Sequence, residues 1–282
     1  MQMPGGLMMA DRGPDRDGLK LDVLRVALGP ALPAWPSGLV MDVEMQGDLV
    51  QSAAPRVLSV PRGNSGFWTA DPSKPRRRAA AHLDSIGRLL EVAGWSGAAE
   101  QVRQQRDAVL TDAGDGGENR AVRDLGRLRR RLQRSRGLRR SLAGLGRLDP
   151  DAVSRLGLTG PAARATGRGG DAWARLVTWL EETAQALDGR PVAPAEGPRG
   201  EPGRGSDALL AAAVALMPGL ELADARLVLA SLDPDTDELD ASRTRGDGDL
   251  DHEGQHGSRH DRYSHHGQVG SGHEHEGQVH AG

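Results

Sequence analysis

A run of strands followed by a longer run of helices, an α+β fold that is mostly α, is what this sequence predicts. Three observations carry that reading. Residues 39–45 alternate partly between apolar and polar, and the turn Gln46-Gly47-Asp48 and then Leu49-Val50-Gln51 follow, a strand–turn–strand signal. From Arg76 the apolar period lengthens: Ala80, Leu83, Ile86, Leu89 and Leu90 fall on one helical face. From Asp240 onward Gly, Asp, His, Ser and Arg dominate, and too little apolar surface remains to offset the entropy of ordering the chain. The expected organisation is an unstructured N-terminus (1–18), one domain (19–239, with the hairpin at 19–60 and the helical part at 73–239) and a disordered His-rich tail (240–282).

Taken in order, Leu21, Val23 and Val26 form the first strand and run into the breaker Gly29-Pro30. Val57-Leu58-Ser59-Val60 closes the strand region, and residues 61–75 read as a loop. Gly94-Trp95-Ser96 ends the first helix, and Ser96 is the expected cap of a second one reaching Leu110. Val122, Leu125, Leu128 and Leu132 mark a third amphipathic helix. Its other face and its continuation carry Arg120, Arg123, Arg127, Arg129, Arg130, Arg131, Arg134, Arg136, Arg139 and Arg140. Asp149-Pro150 reads as an N-cap followed by proline in the first helical position. Trp173, Leu176, Leu180 and Ala184 place one stripe on a helix over 171–187. Residues 190–205 form a Pro/Gly-rich connection. Ser206 is the expected cap of a helix ending at Met217, and a last helix runs from Ala223 to Leu232, where Asp233-Pro234-Asp235 stops it.

Composition limits the chemistry. The chain of 282 residues contains no cysteine, so it forms no disulfide, holds no iron–sulfur cluster and offers no thiol nucleophile. That fits a cytoplasmic protein. The net charge is -3, and no aromatic residues are interleaved among the helix arginines. Nucleic acid is therefore not an expected partner, and the arginine face reads as solvated or subunit-facing. Residues 1–13 lack the basic and apolar regions of a signal peptide, and the apolar stretch 208–217 is too short to span a bilayer, so direct membrane insertion is not expected. Gly167-Arg168-Gly169-Gly170 follows no strand and makes a poor phosphate cradle. His82 sits in an Ala/Leu-rich helix and reads as structural. The remaining histidines, His252, His256, His260, His265, His266, His273, His275 and His280, lie in the tail. They are candidate ligands for Ni or Zn, against the alternative of a solvated tail with incidental metal affinity.

Five collinear phrases resemble the D subunit of respiratory NADH:quinone oxidoreductase, the family that shares ancestry with the large subunit of nickel–iron hydrogenases. Leu28-Gly29-Pro30-Ala31-Leu32-Pro33 through Val40, with Gly47-Asp48-Leu49-Val50 and Ala54-Pro55, is similar to the family's opening hairpin. Ser135-Arg136 through Gly146, and then Gly157-Leu158-Thr159-Gly160-Pro161-Ala162-Ala163-Arg164-Ala165-Thr166-Gly167, is similar to its central phrase. Gly170-Asp171-Ala172-Trp173-Ala174-Arg175 with Glu181-Glu182 resembles its Gly-Asp-x-x-x-Arg helix. Pro198-Arg199-Gly200-Glu201 resembles its Pro-Arg-Gly-Glu turn, and Ser231-Leu232-Asp233-Pro234 its C-terminal ending. Each phrase alone is a weak signal; their order is the stronger one.

The resemblance implies a small β-hairpin layer packed beside a bundle of about five or six helices. The departures bear on function. The family's first loop carries a quinone-binding histidine, and Leu32 stands there between Pro30 and Pro33, where it cannot donate a hydrogen bond. Tyr263, in the tail, is the only tyrosine, so the family's quinone-site tyrosine has no counterpart. The cysteine pairs of the hydrogenase branch are absent. The expectation is a non-catalytic structural or assembly subunit of a complex-I-like or hydrogenase-like membrane oxidoreductase, with no cofactor in the folded part. Its partners would be an iron–sulfur subunit and membrane subunits, which would hold it at the inner face of the cytoplasmic membrane. The loop around Trp35 and the arginine helix are the candidate docking elements. The alternative is a His-rich nickel- or zinc-binding accessory protein; an active quinone-reducing subunit is the least expected reading.

Overall fold

The computed structural model describes residues 12–14, 20–58, 74–111, 115–188 and 196–239. The tail with its eight histidines and Tyr263, and the side chains of Arg120 and Val122, lie outside the described residues. Strands β1 (Arg12–Pro14), β2 (Lys20–Leu28), β3 (Leu39–Gln46) and β4 (Leu49–Val57) form one antiparallel sheet in sequential order. Alternation in β3 sorts its side chains: Met41, Val43 and Met45 are buried, while Asp42, Glu44 and Gln46 face outward. The outer face is laced by cross-strand charges, Arg25 to Glu44 at 2.9 Å and Arg56 to Asp42 at 2.5 Å. Pro55, which lacks the donor a ladder needs, is accommodated because β4 is an edge strand.

The helices are α1 (Pro75–Val92), α2 (Ser96–Thr111), α3 (Asp115–Arg134), α4 (Arg136–Leu142), α5 (Pro150–Leu156), α6 (Gly160–Arg164), α7 (Ala172–Leu187), α8 (Gly205–Leu216) and α9 (Leu222–Leu232), with a 3-10 turn at Ala165–Arg168. The expected five or six helices undercount those described. The additional ones are pieces such as α4 and α6, five to seven residues long, too short to display an apolar period. Asp149 caps α5 as expected, accepting from the Ala152 amide, and Asp171, expected within the helix, is the cap of α7 and accepts from the Ala174 amide. Ser96 and Ser206 do not act as caps. The Ser96 hydroxyl donates to Glu91, and Ser206 lies inside α8, where its hydroxyl bonds Glu238 and accepts from the Asp235 amide.

Two apolar cores meet in the middle of the molecule. One fills the space between α1, α2, α3, α4 and α7 with Leu83, Leu89, Leu90, Leu132, Leu138, Leu176 and Leu180. The other lies between the sheet's inner face and α8 and α9, around Leu39, Met41, Val50, Leu209 and Val228. With few aromatic residues, stability rests on aliphatic burial, about 1.5–3 kcal/mol for each fully buried leucine. Helices α1 and α7 are buried almost all round, as expected for inner helices. Their polar side chains must therefore find partners inside the protein. The sheet is fastened to the helices by backbone bonds between β4 and the α8–α9 turn, Val50 N–H to Leu220 O and Gly219 N–H to Val50 O.

Candidate functional site

The strongest concentration of buried charge lies where the sheet meets the helices. Asp233 ends α9 in the left-handed region (φ 48). Its carboxylate accepts from the Ser85 hydroxyl (2.6 Å) and from Arg199 Nη2 (2.7 Å), and Arg88 Nη1 lies 2.9 Å from its other oxygen. Arg199 Nε donates to the Asp233 carbonyl at 2.9 Å. Arg88 also pairs with Asp84, and Arg106 Nη1 reaches Asp84 at 2.5 Å. Burial raises the Asp84 carboxyl pKa, but the Arg88 charge and the hydrogen bonds from Arg88 and Arg106 outweigh it and hold it below the usual range. Burial pulls Arg88 down, and Asp233 and Asp84 more than reverse this, so its pKa is raised.

Beside this network is a cavity of about 410 Å³, walled by Trp35 and Ser37 of the β2–β3 loop, by Asp84, Arg88 and Arg199, and by residues 234–237. Leu32 sits on the same loop, half-buried against the second core, and is not among the cavity's lining residues. Gly29 is half-buried, and Pro30 and Pro33 are exposed. The Trp35 ring is buried, and Nε1 donates to the Leu39 carbonyl at 2.7 Å, so this indole holds the loop to the sheet, while Pro30, Pro33 and Ser37 are exposed parts of that loop.

The remaining motif residues are internal ties between the phrases. Arg175 is fully buried, donates from Nη1 to the Gly146 (2.9 Å) and Gly170 (2.8 Å) carbonyls, and reaches the Ser231 hydroxyl from Nη2 (2.7 Å). Burial lowers its pKa to about 10, which leaves it charged at neutral pH. Asp171 spans from the Ala174 amide to the Gly144 amide (2.7 Å). Gly160 packs directly on Gly200, where a Cβ would come within 2.7 Å of the facing backbone. Pro161 is buried beside it. The exposed Glu201 contributes its backbone: the amide donates to Thr159 Oγ1 and the carbonyl accepts from the Arg204 and Gly205 amides. Arg164 grips Glu182 with two hydrogen bonds and also pairs with Glu196.

His82 faces Glu182 in the interior, with Nε2 3.3 Å from Oε2, and is structural as expected. Burial lowers its pKa, outweighing the neighbouring Glu182. Burial pushes the Glu182 carboxyl up, but His82 and the Arg164 guanidinium lower it to about 2. Arg78, His82 and Ser85 recur at helical spacing along α1, a buried polar stripe that the sequence contains and that apolar periodicity alone passes over. Among the described residues, no group of three or more His, Asp or Glu is arranged to hold a metal ion.

The fold is similar to that of a chain in a solved respiratory complex. That structure is the membrane-bound sulfane sulfur reductase (MBS), an archaeal respiratory membrane complex. The match has a TM-score of 0.57 at 17% sequence identity and covers 78% of this chain and 98% of the other. At this identity the likeness shows the fold. No protein-family model matches the sequence, and no curated protein does. Among the described residues, no helix is long and apolar enough to cross a membrane.

The His82–Glu182 pair yields a pH prediction. Below the ordinary histidine pKa the unfolded chain takes up a proton that buried His82 resists, so stability falls as pH drops below about 6.5. The slope from this residue is at most about 1.4 kcal/mol per pH unit. Glu182 adds a second loss: its contribution is complete above its ordinary value of 4.5 and disappears as pH falls toward about 2. Urea unfolding of a His82→Gln variant checks this. It is expected to be less stable at neutral pH but flat between pH ~7 and ~5.5, where the parent slopes.

Proposed function

We propose that this chain is a non-catalytic structural subunit of a membrane-bound respiratory oxidoreductase. One observation carries the reading: the fold likeness to a chain of a respiratory membrane complex extends over 98% of that chain. The chemistry of the interior supports it. Arg164, Asp171, Arg175, Arg199 and Asp233 each bond to other parts of the fold. Asp84 and Glu182 are ionised by their arginine partners and have no proton to give at neutral pH. The quinone-loop position is the apolar Leu32, packed against the sheet core. In this role the protein supplies a rigid body on which an iron–sulfur partner and membrane subunits assemble, while the electrons pass through the partner.

The test is purification of the tagged protein from membranes of its native host under mild detergent. The expected result is a stoichiometric set of subunits that includes an iron–sulfur protein and at least one membrane-spanning protein. A monodisperse single chain, with the membrane fraction empty of it, would overturn the proposal.

A further inference from the structure

A large groove lies at the helical core, where α2 begins beside the end of α3. Its volume is about 900 Å³. One wall is Arg127, Arg130, Arg131 and Arg134 of α3, and the other is the turn 94–98 with Gln101. Ala98 and Leu132 are its buried apolar lining, Trp95 is a half-buried one, and no acidic residue lines it. Arg127 is partly occupied by Asp124. Arg130, Arg131 and Arg134 are exposed and make no ion pair among the described residues. The nearby Glu91 carboxylate is taken by Arg103 (2.7 Å) and Ser96 (2.8 Å). The positive face continues past the groove through the exposed Arg136, Arg139 and Arg140 of α4.

Arg130, Arg131 and Arg134 thus have no carboxylate partner among the described residues, whereas Arg88, Arg106, Arg164 and Arg199 are each paired with one. Guanidinium groups pair bidentately with phosphate. The first amides of the 16-residue α2 point their dipole toward the same groove, which adds to the attraction. A half-buried indole at the rim of such a face suits the boundary between headgroups and water. A run of exposed arginines along two successive helices also fits an extended anionic surface better than a single small ion.

We propose that this groove and the adjoining α3–α4 face bind the phosphate groups of anionic phospholipids, seating the protein against a bilayer surface without insertion. The inference rests on the arginine groove alone and stands or falls separately from the subunit role above.

The experiment is sedimentation of the full chain with vesicles of phosphatidylcholine plus phosphatidylglycerol, against phosphatidylcholine alone, above the pH range where histidine is charged. Binding is expected only to the anionic vesicles and is expected to fall at least about tenfold in Arg130→Glu/Arg131→Glu. The neutral pair Arg130→Gln/Arg131→Gln is expected to fall by less but in the same direction. Arg155→Glu/Arg204→Glu makes the same charge change at arginines elsewhere and is expected to retain binding. Equal loss in that control pair shows a response to net charge and overturns the site. Equal binding to both vesicle types overturns the lipid assignment, as does occupation of the groove by free glycerol phosphate or polyglutamate with no preference for anionic vesicles.

Discussion

Replacing Asp233 with alanine is expected to lower the unfolding free energy by about 3–5 kcal/mol, the cost of stranding a buried charge. Among the described residues Asp233 is the one carboxylate paired with Arg199, and the Arg199 side chain is 4% exposed. One of its terminal nitrogens already has no hydrogen-bond partner, so the Asp233 bonds carry most of its compensation. Removing the carboxylate leaves a buried guanidinium with no anion bonded to it. Arg88 suffers less, because Asp84 remains and a quarter of its side chain is exposed. Ser85 loses its acceptor but keeps the Ala81 carbonyl at 3.1 Å. Urea midpoints at neutral pH measure the loss. If the cost comes from the stranded charge, then Arg199→Met placed on Asp233→Ala recovers part of it, because an apolar side chain needs no partner. A double variant no more stable than Asp233→Ala, or a single variant that loses under about 1 kcal/mol, sinks the argument.

The same network explains what the sequence can and cannot disclose. The β3 alternation and the long periods of α1, α2 and α7 are local, so the strands and major helices are legible. Asp149 is recognisable as a cap because a cap is settled within four residues. Ser96 and Ser206 depart from expectation for the opposite reason: Glu91 and Glu238 compete for their hydroxyls, and Glu238 is brought to Ser206 by the fold from the far side of α9. The order of the five phrases is visible in one dimension, but their meaning is not. A loop-borne Arg199 and a terminal Asp233 look like site residues there. Their 34-residue separation hides a buried pair, and only the fold shows that pair enclosed. Ser85, Asp84 and Arg88, which complete the network, belong to no phrase. Ser85 lies on the buried polar stripe of α1, and Asp84 and Arg88 stand four residues apart on the same helix, at ion-pair spacing.

The motif phrases therefore predict stability defects more directly than loss of chemistry, and the sharpest case is Gly170→Ala, expected to yield no folded protein. Gly170 has φ +69, a region that costs an alanine about 1 kcal/mol by itself. The larger obstacle is space. An added Cβ would lie 1.9 Å from the Leu148 carbonyl oxygen, and that oxygen is backbone and cannot rotate away. The two segments are also bonded, Leu148 N–H to Gly170 O at 3.0 Å, and the same Gly170 carbonyl accepts from Arg175. Relieving the clash separates 145–148 from 170, which breaks that bond and disturbs the Gly146 carbonyl on which Arg175 also depends. A fully buried guanidinium then loses two of its acceptors together. The combined cost is expected to exceed about 4 kcal/mol, a large share of the stability of a domain this size. Gly167→Ala, three residues earlier, is the control: a Cβ there meets nothing within 4 Å, and the change is expected to stay within about 1 kcal/mol. Expression and thermal melting of the pair decide the matter. If Gly170→Ala melts within a few degrees of Gly167→Ala, the 145–148 segment is not held by the close approach and the Arg175 ties do not govern folding.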